Sequence, residues 1–295
     1  MLVQLNHPLL PPPLPFSPHT AAAVYDGYLL KKSIRRERLG GAALTAALGA
    51  AWEKAGTRLD PPYSVKKVEK KTGEWTAVRT PFPKTHPTYK AWAVAGVLAD
   101  AKEALCKVAD TPFDPTTTPP GTPGGAPVPP IPYELPDGTE VGVGLERYAI
   151  PEALFRPAIL SATYGLGPPH GVAAGGPPMR SVPGLVRDCI GGADVDLKRD
   201  LFSSVLLTGG SSLFGGLRDR VERDLMDGGV DGAEASCAAS NLKPKVSAPL
   251  NSTERRFAVW IGGSILSSLG SFQQMWMSRA EYDEHGKSLI HRRSP

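Results

Sequence analysis

At 295 residues, with 41% hydrophobic and 21% charged residues, the chain has the make-up of a globular protein of one large or two ordinary domains, not of a disordered segment. A net charge of +4 permits an acidic partner without requiring one. Three dispersed cysteines, Cys106, Cys189 and Cys237, make no disulfide framework and point to a reducing, intracellular compartment; no apolar run approaches the length of a membrane span.

In chain order, residues 1–20, "MLVQLNHPLLPPPLPFSPHT", are broken by prolines and lack a basic leader, so they read as an unstructured start and not as a signal peptide. "AAAVYDGYLL" predicts two strands turning at Asp26-Gly27, and the Ala/Leu-rich "LGGAALTAALGAAWEKAG" a helix. "VKKVEKKTGEW" reads as a solvated loop or helix end. In "TYKAWAVAGVLADAKEALCKVAD", Val94, Val97, Leu98, Ala101 and Leu105 share one helical face. A proline-rich loop over 111–132 ends that helix, and a hairpin follows with Pro136-Asp137-Gly138 as its turn. A second Gly/Pro-rich loop covers 165–184, and Asp194 and Asp196 either pair as carboxylates or, the better reading, cap the start of a helix or turn. "FSSVLLTGGSSLFGGLRDRVERDLMD" predicts a buried strand, a Gly/Ser turn and a helix with Leu217, Val221 and Leu225 on one face. "KPKVSAPL" is a short strand. Residues 258–269 suit a helix carrying Ile261, Ile265 and Leu269 on one face, and Ser271 with Gln274 forms a capping box for another. Alternating strands and helices give the α/β class.

Chemistry-bearing patterns are few. The strand–turn–helix at Gly209, Gly210 and Ser211 is either a tight turn or a cradle of free backbone N–H groups for an anion. Lys102 and Glu103 are neighbours on a helix, diverging by about 100°, and by themselves read as a solvated face. The runs "KKSIRRER" and "KKVEKK" fit solvated surface better than nucleic-acid contact, because they contain glutamate and no interleaved aromatics. No histidine or cysteine spacing suggests a metal site. Asn251-Ser252-Thr253 matches a glycosylation sequon by chance.

Taken together, "VYDGYLL", "KEALCKVA", "YELPDG", "LERYAIPEALFRP", "ADVDLKRDLFSSVLLTGGSSLFGGLRDRVERDL" and "ERRFAVWIGGSILSSLGSFQQMWMSRAEYDEHG" occur in the order of the second half of actin. The chain resembles the actin superfamily from about residue 21 onward. The length of "APLNSTERRF", the charged "PPYSVKKVEKKTGEW" and "SLGSFQQMW" resemble the nuclear actin-related protein four branch. The resemblance implies an actin-like (ribonuclease H-like/actin ATPase) α/β fold, with the second lobe and C-terminal helices present and the first lobe largely missing. Its implied parts are subdomain 3 over 21–39 and 163–257, subdomain 4 over 40–162, and a C-terminal helical remnant of subdomain 1 over 258–295. A fragment or shortened gene model, with an unrelated proline-rich start, is expected.

For function, the resemblance implies a non-catalytic nuclear scaffold of chromatin-remodelling and histone acetyltransferase complexes. Its partners would be nuclear actin, a helical segment of a remodelling ATPase, other complex subunits and histones. A conventional cytoskeletal ATP-binding protein and a non-functional fragment are the alternatives. By position, Lys102, Glu103, Gly209, Gly210, Ser211, Phe214 and Arg256 match the family's nucleotide-binding residues. Gly27 and Tyr28 face Ile265, Leu266, Leu269 and Met275 across its partner cleft. ATP is the cofactor of the full-length family. In this chain "PPPLPFSPHT" supplies no Asp-x-Gly phosphate hairpin and proline brings no N–H donor, so neither ATP hydrolysis nor firm ATP binding is expected.

Overall fold

The computed structural model describes residues 1–5, 18–69, 75–112, 128–166, 179–228 and 242–290. Strands β1 (Leu2–Leu5) and β2 (His19–Ala22) pair antiparallel, with Val3 opposite Ala21 and both fully buried. The expected unstructured start over 1–20 is therefore corrected at both ends, while residues 6–17 between them lie outside the described residues. Four-residue strands hedged by prolines carry no periodicity of their own; they are specified by the strands on either side. Next, β3 (Val24–Tyr25) and β4 (Tyr28–Leu29) form a hairpin. Asp26 (φ 49°) and Gly27 (φ 80°) are both left-handed, the type I′ turn that Asp-Gly favours. Strand β5 (Arg35–Glu37) and helix α1 (Gly41–Lys54) follow.

Strands β6 (Val65–Glu69) and β7 (Trp75–Arg79) pair where a solvated loop or helix end was expected. Apart from Val65 and Ala77 this ribbon is wet on both faces, so burial never imposed an apolar/polar alternation on its sequence. It is tied down instead by Arg79, which donates to Asp60 at 2.7 Å and Asp137 at 2.6 Å. Helix α2 (Pro87–Leu105) buries Val97, Leu98, Ala101 and Leu105 as its spacing predicts. Hairpin strands β8 (Ile131–Glu134) and β9 (Glu140–Val143) turn through Gly138 at φ 83°, with Asp137 accepting from the Thr139 N–H at 3.0 Å.

Helices α3 (Glu146–Glu152), α4 (Ala158–Ala162), α5 (Val182–Gly191) and α6 (Val195–Ser203) follow. Helix α5 begins inside the expected 165–184 loop, of which 167–178 lie outside the described residues. Asp194 does stand at the N-cap of α6 and Asp196 in its first turn, but the Asp194 side chain makes no capping bond. Strand β10 (Val205–Thr208) leads through the glycine turn to α7 (Leu217–Asp227), whose Leu217, Val221 and Leu225 are fully buried. After β11 (Val246–Ser247), helix α8 (Ser252–Ser268) starts earlier than Ala258 because Asn251 caps it, accepting from Thr253 N–H at 2.9 Å and Glu254 N–H at 3.4 Å. The Ser271–Gln274 capping box does not form, since Ser271 lies within a 3-10 turn. The box sits at Ser278 and Glu281, opening α9 (Arg279–His285).

The main sheet runs β11-β10-β1-β2-β5, with β1 parallel to β10 and antiparallel to β2. Helix α5 packs on β2 and β5, α7 on β11, and the two on each other, while α1 packs on α2 and α3. One hydrophobic cluster runs without a break from Val3 and Leu207 of the sheet through Leu185 and Val221 to Leu44, Leu98 and Ile150. Cys106 and Cys189 are buried free thiols, and burial pushes Cys106 up to about 12.

Inside this core sits one fully desolvated ionic hub. Arg220 of α7 makes a bidentate pair with Glu152 of α3 (2.9 and 3.1 Å) and donates to Asp224 (2.9 Å), with Arg220 and Glu152 side chains showing no exposure. It also donates to the Ala109 and Thr111 carbonyls and lies 4.5 Å from the Phe155 ring centroid. Removing one partner leaves an uncompensated buried charge. Glu152→Gln is expected to cost about 3–5 kcal/mol, read as a lower midpoint in denaturant unfolding.

His19 is buried, with neither ring nitrogen bonded among the described residues, and desolvation lowers its pKa to about 3. The unfolded chain binds a proton near pH 6.5 while the folded one does not until about pH 3. Stability is therefore full above the unfolded value and falls between these limits, with a slope approaching 1.4 kcal/mol per pH unit. His19→Leu is expected to flatten that acid limb at no cost near neutrality, checked by denaturant melts across pH 4–7 in otherwise identical buffers.

Candidate functional site

The parallel pairing of β1 and β10 brings the ends of both strands to one edge, Gln4 opposite Thr208. There β10 enters Gly209 at φ 90° and ψ 163°, a conformation a side chain rarely tolerates, and a 3-10 turn spans Gly210–Leu213. Gly216 (φ 82°) then opens α7, and a Cβ there would stand 2.9 Å from the Val108 carbonyl oxygen.

The turn is not an open row of donors. The Gly209 N–H donates to the Arg255 carbonyl at 2.7 Å, and Ser212 Oγ donates to the Gly209 carbonyl at 2.7 Å. The Arg255 guanidinium donates back to Ser212 Oγ at 2.8 Å and to the Ser212 carbonyl. The first turn of α8 thus braces the glycine turn, and at Gly209 the expectation of a free N–H is corrected. Ser211 and Phe214 are buried, Phe214 as part of the core.

Lys102 is buried too, contrary to a solvated face. Its ammonium donates to the Gly41 carbonyl and to Thr45 Oγ1, each at 2.9 Å, joining α2 to the first turn of α1. Burial pulls it down to about 8, with nearby Glu103 opposing that shift. Glu103 stays half-exposed and accepts from Arg256 of α8 at 3.3 Å. Among the described residues, the Arg256 Nε is buried without a partner, as is Thr208 Oγ1.

The structure accordingly gathers Glu103, Arg256 and the glycine turn at one edge, holds the Lys102 ammonium on the α1 side, and places Phe214 in the core. Arg255, Ser212 and Thr45 were missed. Their residue types are ordinary, and only the crossing of α8 over the turn gives them a role. For a nucleoside triphosphate, the half-exposed Glu103 and the orphaned Arg256 donor fit a polar ligand. The phosphate side does not fit: five of the twelve residues 6–17 joining β1 to β2 are proline, none is glycine or acidic, and the Gly209 donor is spent.

The second set of expected residues is uncovered. Gly27 and Tyr28 form the exposed tip of the β3–β4 hairpin, and Tyr28 is 76% exposed. Ile265, Leu266, Leu269 and Met275 are exposed as well, and α8 has no buried residue along its length. No side-chain hydrogen bond or ring contact joins the two sets among the described residues. Among the same residues, no cluster could hold a metal ion and no helix is long and apolar enough to cross a membrane.

The family model described as Actin matches residues 17–295. Actin-related protein 4 of Oryza sativa subsp. indica is 42% identical over 274 residues, covering 93% of this chain and 57% of its own length. Actin-related protein 4 of Arabidopsis thaliana is 39% identical over 276 residues (94% and 58%), and that of Emericella nidulans 32% over 285 (92% and 57%). The chain spans a little over half the length of these curated relatives.

The Arg255 brace is testable. Arg255→Ala should speed amide hydrogen exchange at the glycine turn and the first turn of α8 while leaving α5 and α7 protected. Unchanged exchange at both would show that the brace does not hold them.

Proposed function

This chain belongs to the actin family, with its mixed α/β fold, and we propose that it acts as a non-catalytic subunit of the actin-related protein 4 type. Its role is to scaffold nuclear chromatin-remodelling and histone acetyltransferase assemblies, seated beside actin on a helical segment of a remodelling ATPase. Other complex subunits and histones complete its surroundings. The observation that carries this reading is the 42% identity to a protein of that name across 93% of the chain.

Physical support comes from α8 and the turn after it. Trp260, Ile265, Leu266, Leu269 and Trp276 are 44–74% exposed, an unusual amount of large apolar side chain to leave in water on one segment. An amphipathic helix laid against it would bury that surface in the helix-in-groove manner. Turnover of ATP has no place in this role, because the connection between β1 and β2 contains neither glycine nor an acidic residue.

Expressed with an affinity tag in nuclei, the chain should recover actin together with a remodelling ATPase. Leu266→Asp, which charges the exposed face without touching the core, should reduce recovery of the ATPase at least about tenfold, as loss of one central apolar anchor does. Recovery of neither protein by the unmodified chain would remove the proposal, and steady phosphate release from ATP by contaminant-free protein would remove its non-catalytic part.

A further inference from the structure

Far from the glycine turn, a groove of about 640 Å³ opens between α2 and the β6–β7 and β8–β9 hairpins. That volume lies within the range of ligand clefts, roughly 300–1,000 Å³. One side carries a row of rings, Tyr63, Tyr89 and Trp92, with successive centroids 5.3 and 5.5 Å apart, and Phe82, outside the groove lining, packs behind Tyr63 at 5.7 Å. Phe82, Tyr89 and Trp92 each remain about half in water. Pro62 and Pro136 add further apolar lining.

The charges in the groove do not cancel. Lys67 pairs with Glu134. Asp100 accepts only the neutral Tyr133 hydroxyl, at 2.7 Å, and has no cationic partner among the described residues. A carboxylate beside exposed π faces attracts a cation. Closely spaced tyrosine and tryptophan rings also accept prolines in the extended left-handed helix, whose stiffness lowers the entropic cost of binding. The chain's own proline-rich stretches, 6–18 and 111–132, contain neither lysine nor arginine, so they do not match the charge.

We propose that this groove binds a proline-rich segment of a partner protein, with its prolines on the rings of Tyr63, Tyr89 and Trp92 and a flanking arginine or lysine at Asp100. The proposal is independent of the nuclear scaffold role and holds or fails separately from it.

The test is fluorescence anisotropy of a labelled peptide of about ten residues, containing two Pro-x-x-Pro repeats and a terminal arginine, titrated with the whole chain. Saturable binding below about 1 mM is expected. Trp92→Ala should weaken it at least about tenfold, and so should replacing the peptide's prolines by alanine. Asp100→Asn, which still accepts the Tyr133 hydroxyl, should weaken the arginine peptide about tenfold and leave an alanine-ended peptide unchanged. Both substituted positions are exposed, and an unchanged thermal midpoint verifies folding; Tyr89→Ala serves in place of Trp92→Ala if that variant melts early. Absence of saturation, equal binding of a proline-free arginine peptide, or indifference to Asp100→Asn would each overturn the proposal. So would self-association of the chain that the peptide fails to disrupt.

Discussion

The buried guanidinium of Arg220 is the constraint on which the rest of the arrangement depends. It is held by Glu152 from α3, Asp224 from its own helix and two carbonyls from the segment after α2, so it sets three elements against one another. Fixing α7 against the segment after α2 also fixes where α7 begins. At that point Gly216 passes 2.9 Å, in virtual Cβ distance, from the Val108 carbonyl, and the Val108 N–H reaches the Gly215 carbonyl at 3.0 Å. The glycine turn is thus positioned from its far end by a hub four residues into the following helix. Such a hub contributes little net free energy once desolvation is counted. What it imposes is geometry: a planar fork with its donors committed has one satisfactory placement.

From there the constraint passes to the other elements of the candidate site. The turn receives Arg255, Arg255 leads into Arg256, and Arg256 reaches Glu103 at the end of α2. Lys102, one residue earlier, points the other way and bonds the first turn of α1. Adjacent residues on a helix diverge, so this Lys-Glu pair serves two neighbours at once: the lysine joins α2 to α1, and the glutamate faces outward to α8. The same edge gathers buried polar atoms that have no partner among the described residues, at Arg256 Nε, Thr208 Oγ1 and the His19 ring. Leaving a buried polar group unpaired costs about 1–3 kcal/mol, and three residues carrying that cost at one edge mark it as the least optimised part of the described structure.

Much of this fold was legible because local chemistry and burial agreed. Asp26-Gly27 demanded a left-handed turn, Pro136-Asp137-Gly138 supplied another, and α2 and α7 each turned a regular apolar stripe toward the core. The β1 strand was not legible: it lies between β10 and β2 in the middle of the sheet, so its few residues owe their state to long-range pairing. The β6–β7 ribbon was hidden for the opposite reason, since little of it is buried and its Lys-Glu composition looks like any wet surface. At the site, the family resemblance pointed to Lys102, Glu103, the glycines and Arg256 by position. It could not tell that Lys102 is desolvated, that the Gly209 donor is occupied, or that Arg255 supplies the brace. Those are properties of how α8 crosses the turn, and no spacing within one segment encodes them.

Helix α8 shows what such a crossing asks of a sequence. It has no buried residue, so packing within the chain contributes little to its helicity, and an isolated helix of this length is marginal in water. Local devices compensate at its first turn. Asn251 caps two N–H groups, Glu254 stands where the helix dipole favours an acid, and Arg255 anchors the turn to Ser212. Beyond Phe257 these devices end, and Gly262 with Gly263 lowers helix propensity further. What remains is a run of isoleucine, leucine and tryptophan whose burial free energy, roughly 1.5–3 kcal/mol for each large side chain covered, is largely unused among the described residues. A helix secured at one end and apolar along the remainder would gain most of its stability from a surface laid on it, so on the proposed reading its order and its docking are one equilibrium.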